Sequence, residues 1–192
     1  AIISIGTGGL FAWISYIAKL VTTVSGLAEG NVSIIMILIG AGMCVGNLLG
    51  GKVADTLSPS KAAIACFLAM ATCLLILFFI AHITILAYPM AFITGMIAFS
   101  IAPSLQMMLI NNAKGAETFA ASAGQAAFNI GNSIGAYLGA IPIIYGFTYN
   151  YPSLVGVVMA SIGAILTYVF LVKVEMKNST SELKTSEVLQ EA

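Results

Sequence analysis

The chain has 192 residues, is 60% hydrophobic and only 7% charged, and carries no net charge. A soluble domain holds about 25% charged residues, so a fold this poor in charge cannot clothe itself for water, and lipid is the solvent for most of it. Zero net charge offers no bulk field to gather nucleic acid, and because every basic residue is Lys, guanidinium forks for phosphate or carboxylate are absent.

A membrane-crossing helix needs roughly 20 mainly apolar residues. The first such run is Ala1 to Val24. It starts on an apolar residue, without Met or a charged leader, which reads as the edge of a fragment rather than a signal peptide. Trp13 and Tyr16 stand at i and i+3 and are neighbours on the helix surface. They make a packing pair or interfacial belt in the plainer reading, and an aromatic cavity wall in the functional one. Lys19, near the helix end, can extend to the headgroups.

The second run, Val32 to Gly50, carries Asn47 and a GxxxGxxxG stripe of Gly42, Gly46 and Gly50. Such stripes let backbones approach closely in lipid. A polar connection with Gly51, Lys52, Asp55 and Lys61 follows, where Ser58 is placed to cap a helix opening at Pro59. The third run, Ala62 to Ala81, has no strongly polar side chain and suits the lipid-facing periphery. His82 falls in a tight turn after it. Cys44, Cys66 and Cys73 lie singly in apolar runs, with neither metal-ligand nor disulfide spacing. No metal or cofactor is expected.

The fourth run, Ile85 to Ile110, contains Pro103, which frees the carbonyl of Phe99, and then Gln106. The fifth, Phe119 to Gly146, holds Gln125, Asn129 and Asn132 at i, i+4 and i+7, hence on one face. A second stripe, Gly131, Gly135 and Gly139, runs beside them. Interhelical amide hydrogen bonds in membranes contribute only about 0.6–2 kcal/mol, whereas an unpaired amide in hydrocarbon costs about 2–7 kcal/mol. Three amides on one strip therefore point to water or ligand beside them. Interhelical bonding is the plainer reading. The sixth run, Pro152 to Val172, has only hydroxyls as polar groups. Residues 173–192 are rich in Ser, Thr, Glu and Lys and are expected to be an unstructured tail.

Six continuous runs, too long and too unbroken for barrel strands, predict six helices. Lys52, Lys61, Lys114, Lys173, Lys177 and Lys184 fall on one side and Lys19 on the other, which makes the first side cytoplasmic. The two glycine stripes occupy the middle helix of each successive triplet, the pattern of a 3+3 inverted repeat.

Three stretches carry a family likeness: Gly42 to Asp55 with Pro59 and Lys61; Gly95, Phe99, Pro103, Leu105, Gln106 and Leu109; and Ala127 to Gly139. Over residues 1–172 the chain resembles the C-terminal six helices of the major facilitator superfamily, within its arabinose-efflux-like drug:proton antiporters. The resemblance implies an all-α polytopic bundle that is half of a twelve-helix fold, with the N-terminal half elsewhere in the same polypeptide. It implies that Gly51, Lys52, Asp55 and Lys61 form the family's cytoplasmic-loop motif, although this copy lacks Arg. It implies a mid-membrane cavity walled by Trp13, Tyr16, Asn47, Gln106, Gln125, Asn129 and Asn132. Gly42, Gly46, Gly50, Gly131, Gly135 and Gly139 would then be sliding surfaces against the other half, the alternative being packing inside this bundle.

The expected function is secondary active efflux of a small neutral or amphipathic solute such as a sugar, nucleoside or drug, coupled to protons, in the bacterial inner membrane. The expected partners are the lipid bilayer, the other half, the solute and protons, and not nucleic acid. No Asp or Glu lies inside a span, so a coupling carboxylate belongs to the other half. A self-contained six-helix protein that dimerises into a transporter or channel is the alternative. An enzyme is not expected, because no intramembrane catalytic cluster is present.

Overall fold

The computed structural model describes residues 1–113 and 115–190, with side chains described as far as Lys173. Residues 173–190, expected to be an unstructured tail, continue the last helix instead, and Lys114 lies outside the described residues. Among the described residues the fold is entirely helical. Its helices are α1 (Ile2–Val24), α2 (Val32–Thr56), α3 (Pro59–Ile80), α4 (Thr84–Asn111), α5 (Glu117–Ile144) and α6 (Tyr151–Gln190). Each contains a segment long and apolar enough to cross a membrane.

Local chemistry sets the helix ends. Ser58 is the residue before α3 and Pro59 its first residue, where a missing N–H costs nothing. The Ser58 side chain makes no capping bond, so proline geometry and not the predicted hydroxyl cap starts this helix. At the end of α5, Gly146 adopts a φ of 82°, open only to glycine at low cost. Its N–H donates to Ile143 O at 3.0 Å and that of Phe147 to Pro142 O at 3.0 Å. This pair of bonds satisfies two carbonyls that the helix end would leave bare.

Helix α1 is not a continuous rod. Helical pieces Ile2–Gly6, Gly8–Ile14 and Ile17–Lys19 are followed by a π-turn, Leu20–Val24. At the central break Tyr16 has φ −115° and ψ 8°, and its N–H donates to Trp13 O at 3.1 Å. Yet α1 is the most enclosed of the spans, with 50% of its apolar window buried against 17% for α5. The broken helix thus runs through the core, and α5 lies at an open side.

The packing follows the two triplets. Helix α2 lies along α4, and α5 lies along α1. These pairs are equivalent in a 3+3 repeat, because the second helix of each triplet clasps the first helix of the other. Helices α3 and α6 pack on each other across the repeat. Their exposed large side chains include Leu68, Leu75, Ile76 and Phe79 on α3 and Val158, Ile162 and Ile165 on α6, which suits acyl chains.

Both glycine stripes are used up inside this packing. A Cβ on Gly42 or Gly46 would collide with the backbone carbonyls of Phe92 or Met96 on α4, and one on Gly50 would lie 2.6 Å from Ser100 Cα. On α5, a Cβ at Gly131 would lie 2.6 Å from Ser4 O, at Gly135 it would strike the Gly8 carbonyl, and at Gly139 it would lie 2.5 Å from Ala12 O. This corrects the expectation that the six glycines face another half. They bring backbones together within the bundle because, in lipid, close packing and not solvent exclusion holds helices together.

The polar segment after the second span is also corrected in form. Helix α2 continues to Thr56, so Gly51, Lys52 and Asp55 lie on its last turns, and Lys61 lies in the first turn of α3. Only Leu57 and Ser58 connect the two helices. Lys52, Asp55 and Lys61 are exposed.

Candidate functional site

The open region lies between α4 and α5, near the end of the bundle where these two helices connect. One cavity of about 190 Å³ is lined by Phe99, Ala102, Leu105 and Gln106 of α4, by Gly124, Gln125 and Phe128 of α5, and by Ile3 of α1. A second, about 480 Å³, adjoins it through Ile3, Leu105 and Gly124 and extends past Leu109 and Asn112. Its lining is otherwise almost wholly aliphatic. Among the described residues no charged side chain lines either cavity.

Helical periodicity builds the smaller site. Phe99 and Gln106 are two turns apart on α4, and Gln125 and Phe128 are one turn apart on α5, so each helix presents a phenyl ring and a carboxamide. Gly124 brings α4 close. A Cβ there would meet Leu109 Cδ1 and lie 3.7 Å from Gln106 Oε1. Gln106 and Gln125 are exposed within this bundle. Among the described residues, the side-chain amides that donate hydrogen bonds are those of Asn112, to Met108 O at 2.8 Å, and Asn150, to Phe78 O at 3.3 Å. The two glutamines are left with their donors and acceptors unspent.

The other predicted cavity residues are distributed differently. Tyr16 is half-buried, and its hydroxyl donates to Ala136 O at 2.8 Å, joining the α1 break to α5. Asn132 is half-buried on α5, one turn from Phe128, and its buried Oδ1 has no partner. Asn129 is exposed on α5 and Asn47 on α2, and neither lines the cavity. Trp13 is 1% exposed and lies in the core of the bundle, where it lines a small void of about 20 Å³ with α3 and the first turns of α4. Its Nε1 has no hydrogen-bond partner.

Phe99, Phe128, Ile3, Ala102, Leu105 and Gly124 line the site without having been predicted for it. For the two phenylalanines the signal was available, since they share helix faces with the glutamines. For the others it was not, because aliphatic and glycine residues look alike at every position of a membrane helix. Lys19 and His82 are exposed near the opposite end of the bundle. Among the described residues no group of His, Cys, Asp or Glu could hold a metal.

The chain is similar to known transport proteins. It is 36% identical to AraJ of Escherichia coli (strain K12), named as a transporter, over 85% of this chain and 42% of that protein. It is 29% identical to the inner membrane transport protein YdhP of the same organism, over the same shares. It is 30% identical to a chloramphenicol resistance protein of Streptomyces lividans over 65% of this chain and 32% of that protein. The chain thus spans less than half the length of these relatives. No solved structure matches it. The sequence profile of the Major Facilitator Superfamily matches residues 1–191. With six membrane-capable helices, paired repeats and these relatives, the chain is a multi-pass membrane protein, not an enzyme, and belongs to the Major Facilitator Superfamily, in the arabinose-efflux-like group that its sequence resembles.

Proposed function

We propose that these six helices are the C-terminal half of a secondary active transporter that exports a small uncharged or amphipathic solute in exchange for protons across the bacterial inner membrane. The carrying observation is the pair of unpartnered amides, Gln106 and Gln125, in one cavity between α4 and α5. A membrane protein that keeps uncompensated amides beside a cavity has a polar occupant for them. The relatives are more than twice as long as the matched segment, which supports a second half completing the cavity. The Lys-bearing ends of α2, α3 and α6 then face the cytoplasm, as does the C-terminus. In the described spans the carboxylates, Glu29, Asp55 and Glu117, stand only at helix ends, so the coupling acid falls to the other half. Gly51, Lys52, Asp55 and Lys61 then form the cytoplasmic motif where α2 meets α3. Alternating exposure of the cavity follows from the two halves rocking about it.

The test is transport by the full-length protein in everted membrane vesicles, with a panel of sugars, nucleosides and uncharged drugs. At least one solute is expected to accumulate on energisation and to leak away when a protonophore collapses the gradient. Solute movement indifferent to the protonophore would remove proton coupling. Absence of movement for every solute would remove the transporter reading.

A further inference from the structure

Two buried polar groups away from the cavities lack partners, and the packing of α1 on α6 sets them opposite each other. The Trp13 side chain is 1% exposed and that of Ser153 0%. Trp13 Nε1 and Ser153 Oγ are both fully covered, and neither has a hydrogen-bond partner among the described residues. Helices α1 and α6 run antiparallel along a seam of glycines. A Cβ on Gly163 would lie 2.6 Å from Gly6 Cα, and one on Gly9 would lie 2.7 Å from Gly156 O. Trp13 continues the Gly6 and Gly9 face of α1, and Ser153 stands one turn before Gly156 on α6. The next layer of the seam therefore places Trp13 against Ser153. An indole N–H donates and a hydroxyl accepts. Because both atoms are covered, neither water nor a group from outside the bundle reaches them in this packing.

We infer that α1 around its break has two packings, and that a bond from the Trp13 N–H to the Ser153 hydroxyl is made in the other and broken in this one. An unpaired buried donor destabilises the packing that holds it. Trp13 stands just before the break at Ser15 and Tyr16, where the backbone is free to change direction. Beyond the break, hydroxyl bonds hold the segment to α5 and to the turn between α3 and α4. The Tyr16 hydroxyl donates to Ala136 O, Ser25 Oγ donates to Ala81 O at 2.6 Å, and Thr84 Oγ1 donates to Ser25 O at 2.6 Å. The void of about 20 Å³ beside Trp13, Ile17 and Leu77 gives these side chains room to shift without overpacking. The hydroxyl ties thus favour the packing described, and the recovered indole bond favours the other. Packings opposed by a few hydrogen bonds lie close in free energy, and the minor one is populated at roughly 0.1–10%. Both are properties of this bundle, whether or not it carries a solute.

The experiment is fluorine NMR of the full-length protein in lipid nanodiscs, with every tryptophan replaced by 5-fluorotryptophan. The signal lost in Trp13→Phe belongs to Trp13. Two Trp13 signals, or one signal with a saturation-transfer partner, are expected. Ser153→Ala removes the acceptor and should shrink the minor population roughly two- to tenfold. Tyr16→Phe removes an opposing tie and should enlarge it by a similar factor. Opposite shifts mark a competition between two bonds, whereas general loosening of the bundle would move both variants the same way. Ser153 Oγ makes no bond in the packing described, so Ser153→Ala should elute as the wild type does on size exclusion. A single Trp13 signal without a saturation-transfer partner would overturn the inference. So would two signals whose ratio ignores Ser153→Ala, or shifts of one sign in both variants. The measurement needs no solute, so none of these outcomes touches the transporter reading, and failure of the vesicle panel leaves the two packings standing.

Discussion

The hydroxyl of Tyr16 donates to the carbonyl oxygen of Ala136 across 2.8 Å, tying the break in α1 to the middle of α5. Ala136 lies inside the continuous helix α5, so its carbonyl also serves that helix. The bond is therefore an extra tie and not the sole partner of a buried group. Tyr16→Phe is expected to cost about 0.6–1.7 kcal/mol, the range for interhelical bonds in membranes. Thermal unfolding in detergent should show a small drop in Tm with the protein still monodisperse. An unchanged Tm would mean that the hydroxyl is not held there in the folded protein.

The glycines of α2 separate into two classes. A Cβ at Gly46 strikes the Met96 backbone, whereas one at Gly40 meets nothing within 4 Å. Gly46→Ala should destabilise by about 1–3 kcal/mol, because backbone cannot move aside as a side-chain tip can. Gly40→Ala should be neutral or slightly stabilising, by up to about 1 kcal/mol. Comparing the two midpoints in the same detergent is the measurement. Equal damage at Gly40 would reveal a second packing surface on that face of α2, supplied from outside this chain.

Gly135 answers to Gly46 in the other triplet, with the Gly8 carbonyl in place of that of Met96. Gly135→Leu should abolish folding altogether, seen as loss of the protein from the membrane fraction. A variant that inserted and eluted normally but failed to transport would instead restore the sliding-surface role for α5.

Phe67 is fully buried where α3 meets the crossing of α1 and α6, and its ring edge would contact a Cβ on either Gly6 or Gly163. The two glycines form the socket that admits the ring. Phe67→Ala should cost about 3–5 kcal/mol, the range for emptying an aromatic site that cannot collapse. Expression level and Tm report it. A cost below about 1 kcal/mol would show that α1 and α6 close over the void.

At the cavity mouth, Gly124→Ala separates folding from function. Its Cβ would meet Leu109 Cδ1, the far end of a flexible side chain, so the helix pair should tolerate the change. The added methyl narrows the solute site beside Gln106. A roughly tenfold loss in apparent solute affinity at wild-type expression is expected. Saturation kinetics of the full-length variant would decide it.

The spans, their order and the doubled stripes could be read directly, because unbroken apolar runs and small-residue spacing are local properties of the chain. The end of α2 could not. Hydropathy falls after Gly50, yet the helix continues to Thr56. An apolar run measures the thickness of the lipid, whereas a helix persists for as long as its backbone bonds itself. The partners of the stripes were also out of reach: Gly135 carries no mark that distinguishes Gly8 of its own bundle from a surface elsewhere. Trp13 shows the same limit. Before Lys19, helix α1 spreads small hydroxyls and apolar residues around its surface, so spacing relates Trp13 to Tyr16 but does not say that the indole turns inward. Gln106 and Gln125 meet at one cavity through the relative register of α4 and α5, which no single-helix pattern encodes.

The clasp between α1 and α5 also dictates a timetable for biosynthesis. Tyr16 and Ala136 are separated by 120 positions. At about 5–20 residues per second, the first helix waits roughly 6–24 seconds for its mate to emerge from the ribosome. Throughout that interval its glycine face and hydroxyls sit in the bilayer or in the insertion machinery without α5. Neither triplet can mature alone, so the bundle must close late, when the fifth helix enters.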